Sequence, residues 1–149
     1  MTIDEMSENE CMEFATRITL GRLACAQDNQ PYVIPINVAY DSGYIYAIST
    51  FGQKIEWMRE NAKVCVAIDE ISNEIQWTSV VFNGEYEELV EPRFTHERAH
   101  ARSLLEKRSR WWQIAFAERQ AKGGDQLIDP VFFRIKVHSM TGLRARADG

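Results

Sequence analysis

The sequence predicts a mainly β (β+α) fold, a small closed or half-closed antiparallel barrel with helices outside. Three observations predict it. Short runs rich in Val, Ile and Tyr recur between turn residues, a short helical period falls between the third and fourth runs, and a longer helical stretch precedes the last. That gives about six strands, and all-β architectures commonly remove exposed edges by closing on themselves. The 149 residues form a single predicted domain, 1–149, large enough to bury roughly 68–70% of its unfolded surface.

The first element is a helix. Ser7 and Glu10 form a capping-box pair, and Cys11, Phe14, Ala15 and Ile18 share one helical face. Beyond Gly21, residues 22–26, 32–40 and 44–50 read as three strands of a meander, with turn chemistry at 28–31 and 41–43. Residues 54–61 read as a short helix with Ile55 and Met58 inward and Asn61 at its end. Strands follow at 63–69 and 75–89. In the longer one, Trp77, Ser79, Val81 and Asn83 share one face and Thr78, Val80 and Phe82 the other, with Gly84 marking a bulge. A helical insertion is predicted over about 95–120, offering Leu104, Leu105, Trp111, Trp112, Ile114 and Phe116 for burial, and Gly123-Gly124-Asp125 breaks it. The last strand alternates Val131, Phe133, Ile135 and Val137 with Phe132, Arg134, Lys136 and His138, and residues 144–149 are expected to fray.

Composition narrows the function classes. Hydrophobic residues at 45% and charged residues at 26% match a globular chain. No apolar run approaches the roughly 20 residues of a spanning helix, and MTIDEMSENE lacks the basic start of a signal peptide. A soluble, cytoplasmic protein without a membrane partner is expected. A net charge of −5 argues against general nucleic-acid binding, which depends on neutralising phosphates. Cys11, Cys25 and Cys65 are widely spaced and give neither a disulfide framework nor a cysteine zinc site. The basic run Arg98, Arg102, Lys107, Arg108 and Arg110 reads as a solvated helix face.

The stretch IYAISTFGQK, residues 45–54, carries the strongest chemical signal. Ser49 and Thr50 end a strand, Gly52 permits close approach, and Lys54 sits in the first turn of a helix, a set that suits a phosphate monoester. The spacing is not that of a P-loop, and taken alone Gly-x-Lys at such a junction is most often a turn. His96-Glu97-Arg98-Ala99-His100 matches H-E-x-x-H, which would place two imidazoles one turn apart for a metal-dependent hydrolase. Its neighbours Thr95, Arg98, Ala101 and Arg102 are mainly polar, unlike the buried flank of a zinc-hydrolase helix, and Glu118 is not fixed as a third ligand, so no metal site is assigned. No Ser-His-Asp order or G-x-S-x-G elbow occurs, and no catalytic residue is assigned.

In order and spacing, GRLACA (21–26), PYVIPINVAY (31–40), IYAISTFGQK, VCVAIDE (64–70), WTSVVFNGEYEEL (77–89) and FRIKVHSMTG (133–142) span nearly the whole chain. Together they resemble the FMN-binding split-barrel proteins related to pyridoxamine phosphate oxidase, and among them the Nim-type nitroimidazole-resistance or flavin-nucleotide-binding group. The resemblance implies a six-stranded antiparallel split β-barrel with flanking helices, a homodimer, and one FMN at each end of the interface. It implies that Val33, Ile34, Pro35, Ile36 and Asn37 line the isoalloxazine through their backbone. Ile48, Ser49 and Thr50 would meet the ribityl chain and phosphate, Gln53 and Lys54 would grip the phosphate, and Ser79 would make a contact from the next strand.

The implied function is an FMN-dependent oxidoreductase, nitroreductase-like, reducing a small electron-poor substrate such as a nitro compound or quinone with a nicotinamide nucleotide as donor. The alternatives are a non-catalytic flavin or haem binder acting as carrier or sensor, and the hydrolase through His96 and His100. Glu85 stands where the family commonly has Arg after Gly84, and Leu143 where it has Arg after Gly142. The arginine-rich C-terminal end that serves pyridoxamine phosphate is not recognisable, so oxidation of that substrate is not expected.

Overall fold

The computed structural model of the protein describes residues 1–108 and 130–148. Among the described residues, eight strands and three helices follow in the order β1 (Thr2–Glu5), α1 (Glu8–Ala15), β2 (Leu20–Gln27), β3 (Gln30–Asn37), β4 (Ala39–Asp41), β5 (Tyr44–Ser49), α2 (Gln53–Glu60), β6 (Lys63–Asn73), β7 (Gln76–Glu88), α3 (Thr95–Arg108) and β8 (Val131–Arg146). All strand pairs are antiparallel, in the order β3-β2-β6-β7-β8-β5-β4, with β1 added on β8. The ends of this path, β3 and β4, are not joined, so the sheet curls without closing. The expected class, mainly β with helices outside, is the class observed.

The strand count differs from six for two local reasons. Residues 32–40 divide at Val38, whose N–H turns to the Thr19 carbonyl (2.9 Å), so that β3 pairs with β2 whereas β4 pairs with β5. Residues Thr2–Glu5, unforeseen as a strand, pair with Leu143–Arg146. The same pairing corrects the expectation of a frayed tail. Residues 144–146 lie between β1 and β7, and Asp148 meets the N-terminal ammonium at 2.7 Å.

Turn chemistry follows the sequence closely. Asp28 and Asn29 have φ of 49° and 65°, and Ser42 and Gly43 have 48° and 87°. Both pairs make two-residue hairpins whose positive φ values match the twist of the flanking strands. The capping box at Ser7 and Glu10 is complete in both directions. The predicted bulge lies at Asn83/Gly84, where the register with β8 shifts. A Cβ on Gly84 would lie 2.2 Å from the Lys136 carbonyl oxygen, so only glycine lets the two backbones approach there.

Alternation decides what is buried. Val80, Phe82 and Tyr86 of β7 point inward with Leu23, Val66, Phe133 and Ile135, and α1 and α2 add Phe14, Ile55 and Met58 to this main core. On the other face of β5 and β8, α3 lays Ala101 and Leu105 over Tyr46, Ile48 and Phe132. This explains why Phe132, on the polar side of the predicted alternation, is only 1% exposed. Such burial contributes about 1.5–3 kcal/mol for a large side chain. The predicted insertion is helical over Thr95–Arg108; Trp111, Trp112, Ile114, Phe116 and Glu118 lie outside the described residues. Among the described residues no helix is long and apolar enough to cross a membrane.

Candidate functional site

The apolar strand β5 is fixed between β4 and β8 and ends at Ser49, which is buried and donates its hydroxyl to the Thr50 carbonyl at 2.9 Å. Two residues later the chain enters α2. Gly52 is the N-cap residue and no side chain caps the helix, while the first intrahelical bond runs from Glu56 N–H to Gly52 O at 3.1 Å. The N–H groups of that first turn have no intrahelical acceptor and carry the positive end of the helix dipole. A Cβ at Gly52 would meet nothing within 4 Å, so the space over the turn is open.

Gln53 is exposed and Lys54 half-buried in the same turn. Burial pushes the Cys25 thiol up from its ordinary range, and the positive charge of Lys54 opposes that rise. The structure thus brings Ser49, Thr50, Gln53 and Lys54 to one strand-helix junction. Hydroxyls, helix N-terminal N–H groups and one cation fit a phosphate monoester.

The helix bearing this junction is held at several points. Ile55 and Met58 are fully buried, the Asn61 amide donates to the Ala26 carbonyl at 3.1 Å, and Gln27 binds Glu60. Arg59 donates two hydrogen bonds to Glu88, at 2.8 and 2.9 Å, and Tyr86 donates its hydroxyl to the same carboxylate at 2.7 Å. The hydrogen bond from Arg59 holds the Glu88 carboxyl below its ordinary value, against the opposing effect of burial, with Tyr86 adding to the lowering. Burial, and then the bond to Glu88, push the Tyr86 hydroxyl well above its ordinary range.

Residues Val33, Ile34, Pro35, Ile36 and Asn37 occupy β3, the terminal strand of the sheet path. Trp57 of α2 lies 5.5 Å from the ring of Tyr32, which sets the phosphate-type junction and this edge on neighbouring elements. Val33 is 58% exposed and Pro35 exposed, whereas Ile36 is buried and Ile34 packs on the core. An edge strand can offer backbone N–H and C=O groups to a flat heterocycle. Ile48 differs, because its side chain is buried beneath α3 and only its backbone can face a ligand.

Ser79 is not brought to the junction. It lies on β7, separated from β3 by β2 and β6, on the outer face of the sheet. Cross-strand neighbours on that face form two rows, small or medium in side chain except for Arg22: Val33, Ala24, Cys65, Asn83 and Ser139, then Pro35, Arg22, Ala67, Val81 and Thr141. A depression of about 510 Å³ opens there, floored by Ala24, Ala26 and Cys65 and edged by Lys63, Glu85 and His138.

The H-E-x-x-H match lies in the first half of α3. His100 Nε2 is 2.7 Å from Asp41 Oδ2, and its ring meets Tyr46 edge-on at 5.3 Å, so it ties α3 to the β4-β5 hairpin. Among the described residues no three His, Cys, Asp or Glu side chains are grouped to hold a metal. Arg102 is exposed, as a solvated face requires, and Arg98 half-buried; both also lie over the Phe132 ring, at 5.8 and 4.8 Å.

The family profile of pyridoxamine 5'-phosphate oxidase matches residues 7–144. The chain belongs to the pyridoxamine 5'-phosphate oxidase family. An uncharacterised protein of Rhizobium meliloti strain 1021 is 40% identical over 148 residues, covering 99% of this chain and 98% of that one. The crystal structure of an FAD-binding protein from Mesorhizobium loti is also 40% identical, with a TM-score of 0.80 and 99% of each chain covered. A candidate 5-nitroimidazole antibiotic resistance protein from Bacteroides thetaiotaomicron shares the fold at 17% identity, TM-score 0.67, over 100% of this chain and 93% of that one.

The sequence alone assigns no role to Phe51 or Arg59. The signal at Phe51 was a bulky ring between Thr50 and Gly52, at a loop position where a buried core role is not expected.

Proposed function

We propose that the protein binds a flavin and acts as an oxidoreductase on a small electron-poor substrate, with a nicotinamide nucleotide as donor. The observation that carries this reading is the Ser49–Lys54 junction with its uncapped α2 N-terminus, set beside the edge strand β3. Gln53 and Lys54 hold the phosphate of the FMN moiety, Ser49 and Thr50 orient the ribityl chain, and the backbone of Val33–Asn37 runs along the ring. The flavin, when bound, supplies two-electron transfer at its N5 position. The residues of this chain bind and orient; none is assigned a proton-transfer role. Membership of the family and the 40% identity to a protein named as FAD-binding support the flavin class.

A homodimer belongs to the same reading. Ser79 lies on the small-residue outer face, away from the junction of its own chain, so a second copy seated on that face would bring its Ser79 toward the partner's ring. The small side chains of Ala24, Cys65 and Ala67 allow close approach of two sheets, and the Arg22–Asp69 pair at 3.4 Å beside Ala67 supplies a polar contact. The proposed setting is the cytoplasm.

The test is the visible spectrum of the purified protein, followed by anaerobic addition of NADH or NADPH and then a nitro compound or quinone. Bound flavin bleached by the nucleotide and restored by the acceptor supports the enzyme. Bound flavin that neither nucleotide reduces reassigns the protein as a carrier or sensor, and a protein unable to bind flavin at all overturns the proposal.

A further inference from the structure

The α3 side of the sheet carries a cavity that the flavin reading leaves unused. It measures about 210 Å³ and is lined by Glu91, Thr95, Arg98, Ala99, Arg102 and Phe132. Thr95, Arg98, Ala99 and Arg102 are spaced three or four residues apart on α3, so they share one helical face. The cavity floor is Phe132, which pairs with Ile48 and is buried with it beneath α3. The cavity therefore belongs to the α3 layer and is distinct from the α2 junction.

Two cations converge on it. The guanidiniums of Arg98 and Arg102 lie 4.8 and 5.8 Å from the same ring centroid, so one aromatic face holds both at the cavity wall. Neither is closely neutralised. Arg98 makes one long hydrogen bond, to the Leu89 carbonyl at 3.5 Å, and Arg102 meets Glu106 only at 3.9 Å. Glu91, exposed at the rim, pairs with neither arginine among the described residues. Ala99, between them on the helix, leaves the space between the two side chains open.

We propose that this cavity binds a phosphate group, free or esterified, between the guanidiniums of Arg98 and Arg102. Each planar fork offers parallel N–H donors, and a single fork already occupies both oxygens of a carboxylate. A phosphate keeps oxygens for the second fork. Arg102 is exposed and Arg98 half-buried, so the group enters from solvent and meets donors that are already oriented. The inference stands whether or not a flavin binds at α2.

The test is calorimetric titration at fixed ionic strength with inorganic phosphate, glycerol 3-phosphate and acetate. It is run on the 149-residue chain and on Lys54→Glu, which silences the α2 junction. Lys54→Glu should still bind phosphate saturably. In both backgrounds Arg102→Gln should weaken that binding by about tenfold or more, and Arg98→Lys, which keeps the charge but loses the fork, should weaken it too. Arg93→Gln, beside the Phe94 ring at 5.0 Å but outside the cavity, should leave it unchanged. Melting temperatures near that of the parent exclude unfolding, and the tighter of the two phosphates identifies the source as free or esterified. Three results overturn the inference: no saturable phosphate binding by folded Lys54→Glu, equal losses in Arg93→Gln and Arg102→Gln, or acetate bound as tightly as phosphate.

Discussion

Gly84→Ala tests the structural argument where it makes its sharpest demand. The added methyl would lie 2.2 Å from the Lys136 carbonyl oxygen and 2.9 Å from Ile135 Cγ2. The first obstacle is backbone in the middle of β8, so no flexible side chain can move aside. Over-packing of this kind costs about 1–3 kcal/mol, and a backbone obstruction belongs at the upper end, about 3 kcal/mol. For a chain of this size each kcal/mol moves the melting temperature by about 2–4 °C, which predicts a fall of about 6–12 °C. The bulge also sets register: on one side Asn83 faces Ser139, on the other Gly84 faces Val137, with His138 left between. A slip here would turn Tyr86 and its neighbours to the wrong face. The assay is thermal unfolding followed by circular dichroism, with exposed Ser139→Ala as the control, expected within about 2 °C of wild type. A Gly84→Ala protein melting within 2 °C of wild type would refute the close-approach argument.

Three further outcomes are expected. Glu88→Gln should lower the melting temperature at neutral pH. Because Arg59 depresses the Glu88 carboxyl, its contribution is present above the ordinary value of 4.5 and is lost as pH falls through the lower folded value, so the gap between wild type and variant should narrow as pH falls below 4.5; a constant gap refutes it. Ala67→Glu, in the middle of the outer face, should convert a dimer to a monomer by sedimentation analysis, and an unchanged dimer would place the interface elsewhere. His100→Ala removes an exposed pair with Asp41 and the edge-on contact with Tyr46 and should cost about 0.5–2.5 kcal/mol, with no change in metal content by elemental analysis.

How far the sequence could be read depended on the range of the interactions involved. The α1 cap, the two hairpin turns and the Gly84 bulge were legible because each is decided within a few residues by backbone chemistry. The β1 strand and the ordered tail were not, because neither Thr2–Glu5 nor residues 143–146 has a strong pattern; they specify each other across the length of the chain. Phe132 shows the same limit, since its face is covered by α3 and alternation alone cannot reveal a second layer. At the site, Ser49 to Lys54 could be grouped because they are contiguous. Bringing Val33–Asn37 beside them required the sheet order, and the separation of Ser79 from both was invisible until the strands were placed. The network of Arg59, Glu88 and Tyr86 joins residues up to 29 apart in sequence, with no motif to announce it.

The central claim is that the strand-helix junction at Lys54 holds a flavin phosphate. The most direct measurement is calorimetric titration of flavin into wild type and Lys54→Glu, with melting temperatures recorded for both. Loss of a charge-assisted contact and introduction of a like charge predict at least a tenfold loss of flavin affinity in a variant that still folds. Wild-type affinity in a folded Lys54→Glu protein would contradict the assignment.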